Sequence, residues 1–589
     1  MRTAQPLPAI RAAQTAALVL AASAPSLLAY NVSPSPTFLN QALALGAWGG
    51  LAALLALTSP ARLGRGIWPA LAALFVLGGA AAVSWGLGGL PSSLALSAIA
   101  LLLATAVLLA SGASTRAGAN AADLFALFCW AWLIAGVLNA AVALVQVFAP
   151  GWADGRWIAV TSIPGRAVGN LRQPNHLSSL LLWACIAVLA LADMGRLRQR
   201  VVLALLALMV WALVLTASRT GLLSVLLLAL WGLLDKRLAR RTRALLLATP
   251  LLYALAWLGM SQWAALSAHR FGGAARLAET DISGSRFGIW ANTLVLIRQQ
   301  PWLGVGFGEF NFAWTLTPFP GRPTAFFDHT HNLPLQLAVE LGVPLATLVM
   351  GLLVWALWRA ARSAFGRQDA STGAPTDPAN TAQRAALMMV LMIVLHSLLE
   401  YPLWYAYFLL PAAWVLGFAL GHTGRDEPVL AAPTAPAWPL ALAGLLVLLG
   451  AVFSVWDYKR VAVIFWANAG RISLAERIEA GQRSVFFAHH ADYAAVTSGV
   501  TPGNAQPAFD RATHYLLDSR LMTAWARHLS ATGQVEKAQH VAQQLREFGK
   551  ADTAAFFDPC LAPAAPISSL PFQCSEPTQA TPWRAFLRH

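Results

Sequence analysis

"VVLALLALMVWALVLTASRTGLLSVLLLALWGLL", residues 201–234, is the stretch on which the fold turns. A helix crosses the hydrocarbon core of a bilayer with about 20 apolar residues, so this run is too long for one crossing and barely long enough for two. "ASRTG" (217–221) must then be a tight turn between two membrane helices. Arg219 in that turn costs a few kcal/mol in an apolar layer unless it meets an anion or lines a wet cavity, which marks it as a functional candidate. The alternative is a cation that snorkels to the interface along its own stem.

The rest of the chain has the same texture. Of its 589 residues 58% are hydrophobic and 11% charged, and the mean hydropathy is +0.59. Soluble proteins carry about 25% charged residues. Roughly thirteen apolar runs are long enough to span a bilayer, beginning near residues 12, 39, 67, 91, 122, 174, 201, 219, 244, 333, 385, 403 and 437. The expected class is an all-α polytopic membrane protein. The net charge of +15 does not point to nucleic acid, because the basic residues lie in short links between apolar runs: "ARLGR" (61–65), Arg116, "GRLRQR" (195–200), "DKRLARRTR" (235–243), Arg359 to Arg384, and Arg425. With Arg2 and Arg11 cytoplasmic, every one of these links falls on the cytoplasmic side, as the positive-inside rule requires. Reading the first run as a cleaved signal peptide would invert that pattern, and it lacks a small-residue cleavage site. It is read as the first helix.

An odd number of crossings sends residues 458–589 and the long segment 261–331 to the external side. The division is then a membrane domain, 1–457, and a helical tail, 458–589. Cys129 and Cys185 lie in apolar helices as packing residues. Cys560 and Cys574 fall in the tail, where an oxidising compartment permits a disulfide. "LMTAWARHLSATGQVEKAQHVAQQLREFG" (521–549) reads as a helix, a glycine turn and a second helix, with Val535, Ala538, Val541, Ala542, Leu545 and Phe548 on one face. That is one tetratricopeptide-like hairpin, either a peptide-binding element or a cap on the membrane domain. Residues beyond Ala551 are Pro-rich and read as irregular. Segments 31–38 and 88–92 are short, uncharged turns; 150–174 and 261–331 are long and polar, as functional loops usually are.

Within 284–310, "GSRFGIWANTLVLIRQQPWLGVGFGEF", Arg286 precedes an amphipathic helix that lies along the membrane or re-enters it. Gly304, Gly306 and Gly308 then allow tight turning. No strand surrounds them, so they are not a dinucleotide fingerprint. In "FFDHTHNLPLQ" (326–336) Asn332 can cap the following helix and Pro334 is tolerated in its first turn. His331 then stands at a helix N-terminus, where the amide dipoles disfavour an imidazolium and favour a phosphate, leaving a neutral ring able to act as base. A metal held by His329 and His331 is the other reading, without a third or fourth ligand at recognisable spacing. "HSLLEYPLWYAYFLLP" (396–411) places His396 and Glu400 four residues apart on one helix face, with Tyr401, Tyr405 and Tyr407 towards the external surface as belt aromatics. Glu340, nine residues beyond His331 in an apolar helix, needs an internal partner.

Taken together, "GNLRQPNHLSSLLL" (169–182), "SRTG" (218–221), "SRFGIW" (285–290), "PWLGVGFGEF" (301–310), "HTHNLPLQLAVELG" (329–342) and "EYPLWYAYFLLP" (400–411) resemble the bacterial O-antigen ligase and polymerase superfamily, most closely its PglL-type protein O-oligosaccharyltransferases. The resemblance extends into the tail. It implies transfer of a preassembled glycan from undecaprenyl pyrophosphate to a hydroxyl of a pilin-like periplasmic protein, at the bacterial inner membrane, with no metal or other cofactor. On that reading Arg219 and Arg286 hold the diphosphate and His331 is the base. Arg172, Gln173, His176, His329, Glu340, His396, Glu400, Tyr401 and Tyr405 are the remaining substrate-site candidates. Lipid A-core O-antigen ligase and O-antigen polymerase are the alternatives within the superfamily; a transporter is the alternative outside it, against which no inverted repeat is evident.

Overall fold

In an apolar layer each backbone amide must find its partner within the chain, and a leucine- and alanine-rich run does so most simply as a helix. The computed structural model describes residues 8–60, 63–267, 269–274, 282–366, 377–421, 437–466, 472–500, 504–561, 571–579 and 581–587, and no strand forms among them. Each expected apolar run falls on a helix: α1 (Pro8–Leu27), α2 (Phe38–Ala56), α3 (Trp68–Leu87), α4 (Ser92–Ala117), α5 (Ala121–Phe148), α6 (Pro174–Asp193), α7 (Gln199–Leu215), α8 (Arg219–Leu234), α9 (Arg240–Ser267), α12 (Leu333–Phe365), α13 (Pro378–Ser397), α14 (Ala406–Leu420) and α15 (Trp438–Ala462). Among the described residues nine helices, α2 to α6, α9, α12, α13 and α15, are long and apolar enough to cross a membrane by length and composition. Helices α7, α8 and α14 are shorter, at 17, 16 and 15 residues.

Within the long segment 261–331 the amphipathic helix expected next to Arg286 is present, and it is not the only helix there. The segment holds the end of α9, then α10 (Ile282–Gln299) and the short α11 (Phe310–Leu316). Arg286 lies inside α10 rather than ahead of it, because helical hydrogen bonding begins before the apolar pattern that marks the packed face. Of the expected basic links, residues 61, 62, 367–376 and 422–430, with Arg425, lie outside the described residues.

The chain folds as two compact units. The first comprises Met1–Leu74, Leu103–Glu279 and Leu352–Phe453; the second comprises Phe75–Leu102, Thr280–Gly351 and Ser454–His589. Their last boundary lies within α15, and the second unit also takes in earlier stretches of the chain.

In the first unit α6 is the hub, buried along almost its whole length against α5, α7, α8 and α13. Trp48, Phe125, Phe128, Trp132, Trp183, Trp414 and Phe418 form one aromatic core, with Phe128 stacked on Trp414 at 4.9 Å between centroids. Cys129 and Cys185 are buried in α5 and α6. Helices α4 and α14 touch backbone to backbone at Gly112 and Gly417, where a Cβ would stand 1.9 Å from a carbonyl oxygen of the opposite helix. The basic links gather at one end of this unit. Arg196 pairs with Asp123 at 2.6 Å, Arg384 with Asp235 at 3.0 Å, and Arg116 with Gln383 at 3.2 Å. The start of α6, with the Arg-Gln-Pro-Asn-His motif, is at the other end.

The second unit is built on α16 (Leu474–Gln482), α17 (Ala488–Thr497), α18 (Gln506–Ala512), α19 (Ser519–Ala531) and α20 (Val535–Phe548). The hairpin expected over 521–549 is α19 and α20, turned at Gly533 (φ +82°) and ended by left-handed Gly549. Ala538, Val541, Ala542, Leu545 and Phe548 form its buried face, but Val535 is 42% exposed, since as the first residue of α20 it overhangs the contact with α19. Phe310, Phe312 and Trp314 of α11 belong to the same hydrophobic core. Arg322 is buried there, over the rings of Phe548 at 4.5 Å and Trp314 at 4.9 Å, and 3.4 Å from Glu547. Burial pulls its pKa down to about 10, with Glu547 opposing. Asp457 at the end of α15 accepts from the Ser484 hydroxyl and the amides of Val485 and Phe486. Cys560 and Cys574 form a disulfide, and short helical turns at 551–560 replace part of the irregular chain expected there.

Candidate active site

At the start of α6 the Arg-Gln-Pro-Asn-His motif is spent on building structure. Gln173 is the N-cap, its Oε1 accepting the His176 amide at 2.8 Å. Arg172 (φ +57°) donates to the carbonyl of Ala29 at 2.7 Å, and its partial burial lowers its pKa from the ordinary arginine value. The preceding loop is pinned by Gln146, which accepts from the amides of Val168 and Gly169, and by Asn170, which accepts from Ala159 and donates to Leu27 and Trp157 carbonyls.

Deeper in the first unit lies a buried polar network. Asn175 donates to Glu400 Oε1 at 2.9 Å and accepts the Ser218 hydroxyl at 2.7 Å. Ser218 caps α8 through the Gly221 amide at 3.0 Å. His396 Nδ1 lies 2.8 Å from the Ser179 hydroxyl, and His176 Nδ1 lies 3.2 Å from the Tyr407 hydroxyl. The His176 ring is caged by Tyr405 at 4.6 Å, Phe408 at 5.1 Å and His396 at 5.9 Å. Tyr401 and Tyr405 are half-buried and stack at 6.1 Å, whereas Tyr407 is buried inside rather than belonging to an external aromatic belt, because its hydroxyl finds a partner in His176.

The "ASRTG" turn is indeed tight. Ala217 takes a left-handed conformation at φ +47°, a strained state for a residue with a Cβ. Arg166, buried in the preceding loop, holds the turn by donating to the carbonyls of Thr216 at 2.6 Å and Ala217 at 3.5 Å. Arg219 follows as the first residue of α8, exposed, with no hydrogen bond or ion pair to another described residue. An exposed guanidinium at the positive end of a helix dipole suits an anion.

In the second unit Asn332 caps α12 as expected, its Oδ1 accepting the Leu335 amide at 3.0 Å. His331 precedes it at φ +55°, half-buried, its ring edge-on to Phe327 at 5.4 Å. His329 Nδ1 lies 2.9 Å from Asp328. Both sides of the Thr330 peptide are fixed: its amide donates to Gln336 Oε1 at 2.8 Å, and its carbonyl accepts from Trp290 Nε1 at 2.9 Å. Trp290 is four residues after Arg286 on α10, so the two share a helix face. Glu340 has the internal partner its position demanded: Gln336 Nε2 donates to it at 2.9 Å, and the amides of Gly308 and Phe310 face its carboxylate. Just beyond, α12 breaks at Gly342 (φ +76°, ψ 160°). Gly304 (φ +67°) packs there against the backbone of Glu340, and a Cβ on Gly342 would lie 2.3 Å from the Trp302 carbonyl.

Among the described residues only three without glycine's freedom have positive φ: Arg172, Ala217 and His331. Each stands in or beside one of the motifs, and strain of this kind concentrates at functional sites. The structure joins Asn175, His176, His396, Glu400 and Tyr405 in one network of the first unit, and His331 with the Arg286 face of α10 in the second. Asn175, Ser218, Arg166, Gln336 and Trp290 are not among the candidates expected from sequence. Ser218 has the residue type of an N-cap before a helix, and Gln336 stands four residues before a buried acid, on its face of the helix; Arg166 carries no signal. Among the described residues no three His, Cys, Asp or Glu side chains are grouped to hold a metal.

Comparison with known proteins covers the same segments. Residues 204–350 match the family "O-Antigen ligase", 384–557 match "Virulence factor membrane-bound polymerase, C-terminal", and 167–192 match "Protein glycosylation ligase". The chain is 25% identical over 498 residues to a general O-oligosaccharyltransferase of Acinetobacter baylyi, covering 80% of this chain and 82% of the relative. It is 25% identical over 292 residues to a ComP-specific O-oligosaccharyltransferase of the same organism, covering 48% and 47%. The quoted motifs all fall within these matches, which support an O-oligosaccharyltransferase of the PglL type within the O-antigen ligase superfamily.

Proposed function

We propose that the enzyme transfers a preassembled glycan from undecaprenyl pyrophosphate to Ser or Thr hydroxyls of a periplasmic, pilin-like protein. The observation that carries this is Arg219, a cation without a partner among the described residues, presented at a helix N-terminus by a strained turn. In the reaction the acceptor oxygen bonds to the anomeric carbon and its proton passes to His331, which later releases it to water. The bond from that carbon to the phosphate oxygen breaks, and undecaprenyl pyrophosphate leaves with the electron pair. Arg219 and Arg286 are assigned to the growing negative charge, which charge-assisted hydrogen bonds stabilise most strongly. Tyr401 and Tyr405, half-buried and stacked, are assigned to glycan or acceptor.

The orientation proposed is a cytoplasmic N-terminus in the bacterial inner membrane, with 261–331 and 458–589 periplasmic. The basic links at one end of the first unit and the Cys560–Cys574 disulfide support it. The test is to incubate the protein with a lipid-linked glycan donor and a pilin-like acceptor and weigh the acceptor. A mass increase of one glycan is expected; modified lipid A-core beside unmodified pilin would assign the enzyme to O-antigen ligation instead.

A further inference from the structure

Two glutamates committed to the substrate site by their motifs are both buried, and both are occupied by an amide side chain. Glu400 receives the Asn175 amide at 2.9 Å, and Glu340 receives the Gln336 amide at 2.9 Å. In each case the amide's oxygen then reaches the residue immediately before a proposed functional one. Asn175 Oδ1 accepts the Ser218 hydroxyl at 2.7 Å, next to Arg219; Gln336 Oε1 accepts the Thr330 amide at 2.8 Å, next to His331. The same three-part device occurs once in each unit.

We infer that Glu340 and Glu400 are positioning residues, which act by fixing the orientation of Gln336 and Asn175. A carboxyl oxygen that carries no proton can only accept, so it turns the NH2 end of the neighbouring amide towards itself and leaves the oxygen end for a donor. For Gln336 that donor is the Thr330 amide, whose carbonyl side is already held by Trp290, and the left-handed turn at His331 is thereby locked. For Asn175 it is the Ser218 hydroxyl. Having given its one proton to Asn175, Ser218 Oγ has only lone pairs left for the Gly221 amide, which fixes the first turn of α8 and with it Arg219. A flipped amide would set its oxygen against the carboxylate, acceptor to acceptor, and at Gln336 would also set its NH2 against the Thr330 amide; in a buried site such unmade hydrogen bonds are costly.

This rests on the roles given to His331 and Arg219 above, and exchange variants test it separately from them. Gln336→Glu sets two carboxylates side by side, whereas Gln336→Glu with Glu340→Gln allows all the bonds again, since the carboxylate introduced at position 336 can accept both from Thr330 and from the amide introduced at position 340. Asn175→Asp and its pairing with Glu400→Gln work alike. Wild type and these four full-length variants are assayed for transfer kinetics with lipid-linked donor and are melted in detergent. Gln336→Glu is expected to lower kcat about tenfold with donor KM little changed, and Asn175→Asp to raise donor KM about tenfold; each exchange pair should return to within about threefold of wild type. Singles that behave as wild type, or pairs no better than their singles, overturn the inference, and so do pairs that fail to accumulate. A wild type that transfers nothing overturns the reaction proposed above, while melting still decides the pairing: pairs that melt with wild type support it, and pairs that melt with their singles refute it.

Discussion

The imidazole Nδ1 of His514 lies 2.7 Å from the carboxylate of Glu309, with at most 8% of either side chain exposed, and the ring stacks on Phe312 at 4.8 Å. Glu309 ends the Gly-rich segment and His514 follows α18, so one pair ties the tail to the backbone that meets α12. His514→Ala leaves a buried carboxylate unpaired and should destabilise the second unit by about 3–5 kcal/mol. Glu309→Gln, which keeps a neutral partner for the ring, should cost much less. Chemical unfolding in detergent reads both.

His331→Asn is the sharper test of the base. Asparagine tolerates the left-handed backbone found there, so the turn survives while the proton acceptor is lost. Transfer should fall about 10²- to 10⁴-fold, and donor affinity should hold. Turnover close to wild type would remove His331 from the role.

Two arginines near the α7–α8 turn should behave oppositely. Arg219→Ala, at an exposed and unbonded residue, should leave stability untouched and weaken donor binding by about 1.5–3 kcal/mol. Arg166→Ala should instead lower the melting temperature, because buried carbonyls of Thr216 and Ala217 lose their donor. Ala217→Gly, which relieves the positive φ, should stabilise by about 1 kcal/mol. Donor titration and thermal unfolding separate the three.

In the tail, burial holds His490 at a pKa of about 4, against 6.5 for a free imidazole, and holds His489 well below the same value with help from His490. Tyr515 is the titratable neighbour on both rings, at 4.5 and 4.8 Å. The fold thus favours neutral rings. Their contribution is complete above about pH 6.5 and is lost as pH falls towards 4, to the extent of about 3 kcal/mol for His490. Unfolding measured from pH 8 to pH 4 should show this decline, and His490→Phe, which keeps the ring packing, should flatten it.

Cys560 and Cys574 close a small loop, with a sequence separation of 14. Breaking it by Cys574→Ser should cost about 3 kcal/mol. Mass spectrometry after thiol blocking in intact cells should find the pair oxidised; a reduced pair would place the tail on the reducing side of the membrane.

Helix existence was readable because burying an apolar run and satisfying its backbone have one solution in lipid. The cap at Asn332, the turn at Ala217 and the internal partner of Glu340 followed from local chemistry as well. What escaped was set by distant pairing. Asn175 and Glu400 are separated by 225 residues, and Arg166 reaches a carbonyl 50 positions away; no local pattern encodes such meetings. The same holds for α11, seven residues whose aromatic side chains pack in the core of the tail and which are too short to leave a long apolar signature. Gln173 and Arg172, substrate-site candidates in the sequence, also hold backbone groups beside the start of α6, a second role that their motif does not disclose.

The contact between Gly304 and the break at Gly342 also bears on the design of hybrid enzymes. With main chain pressed on main chain, neither strip offers a surface that could adapt to a foreign counterpart. A graft through 301–308 or 339–343 should therefore keep glycine at 304 and at 342, since a Cβ at either would stand 2.5 Å or 2.3 Å from the opposite main chain.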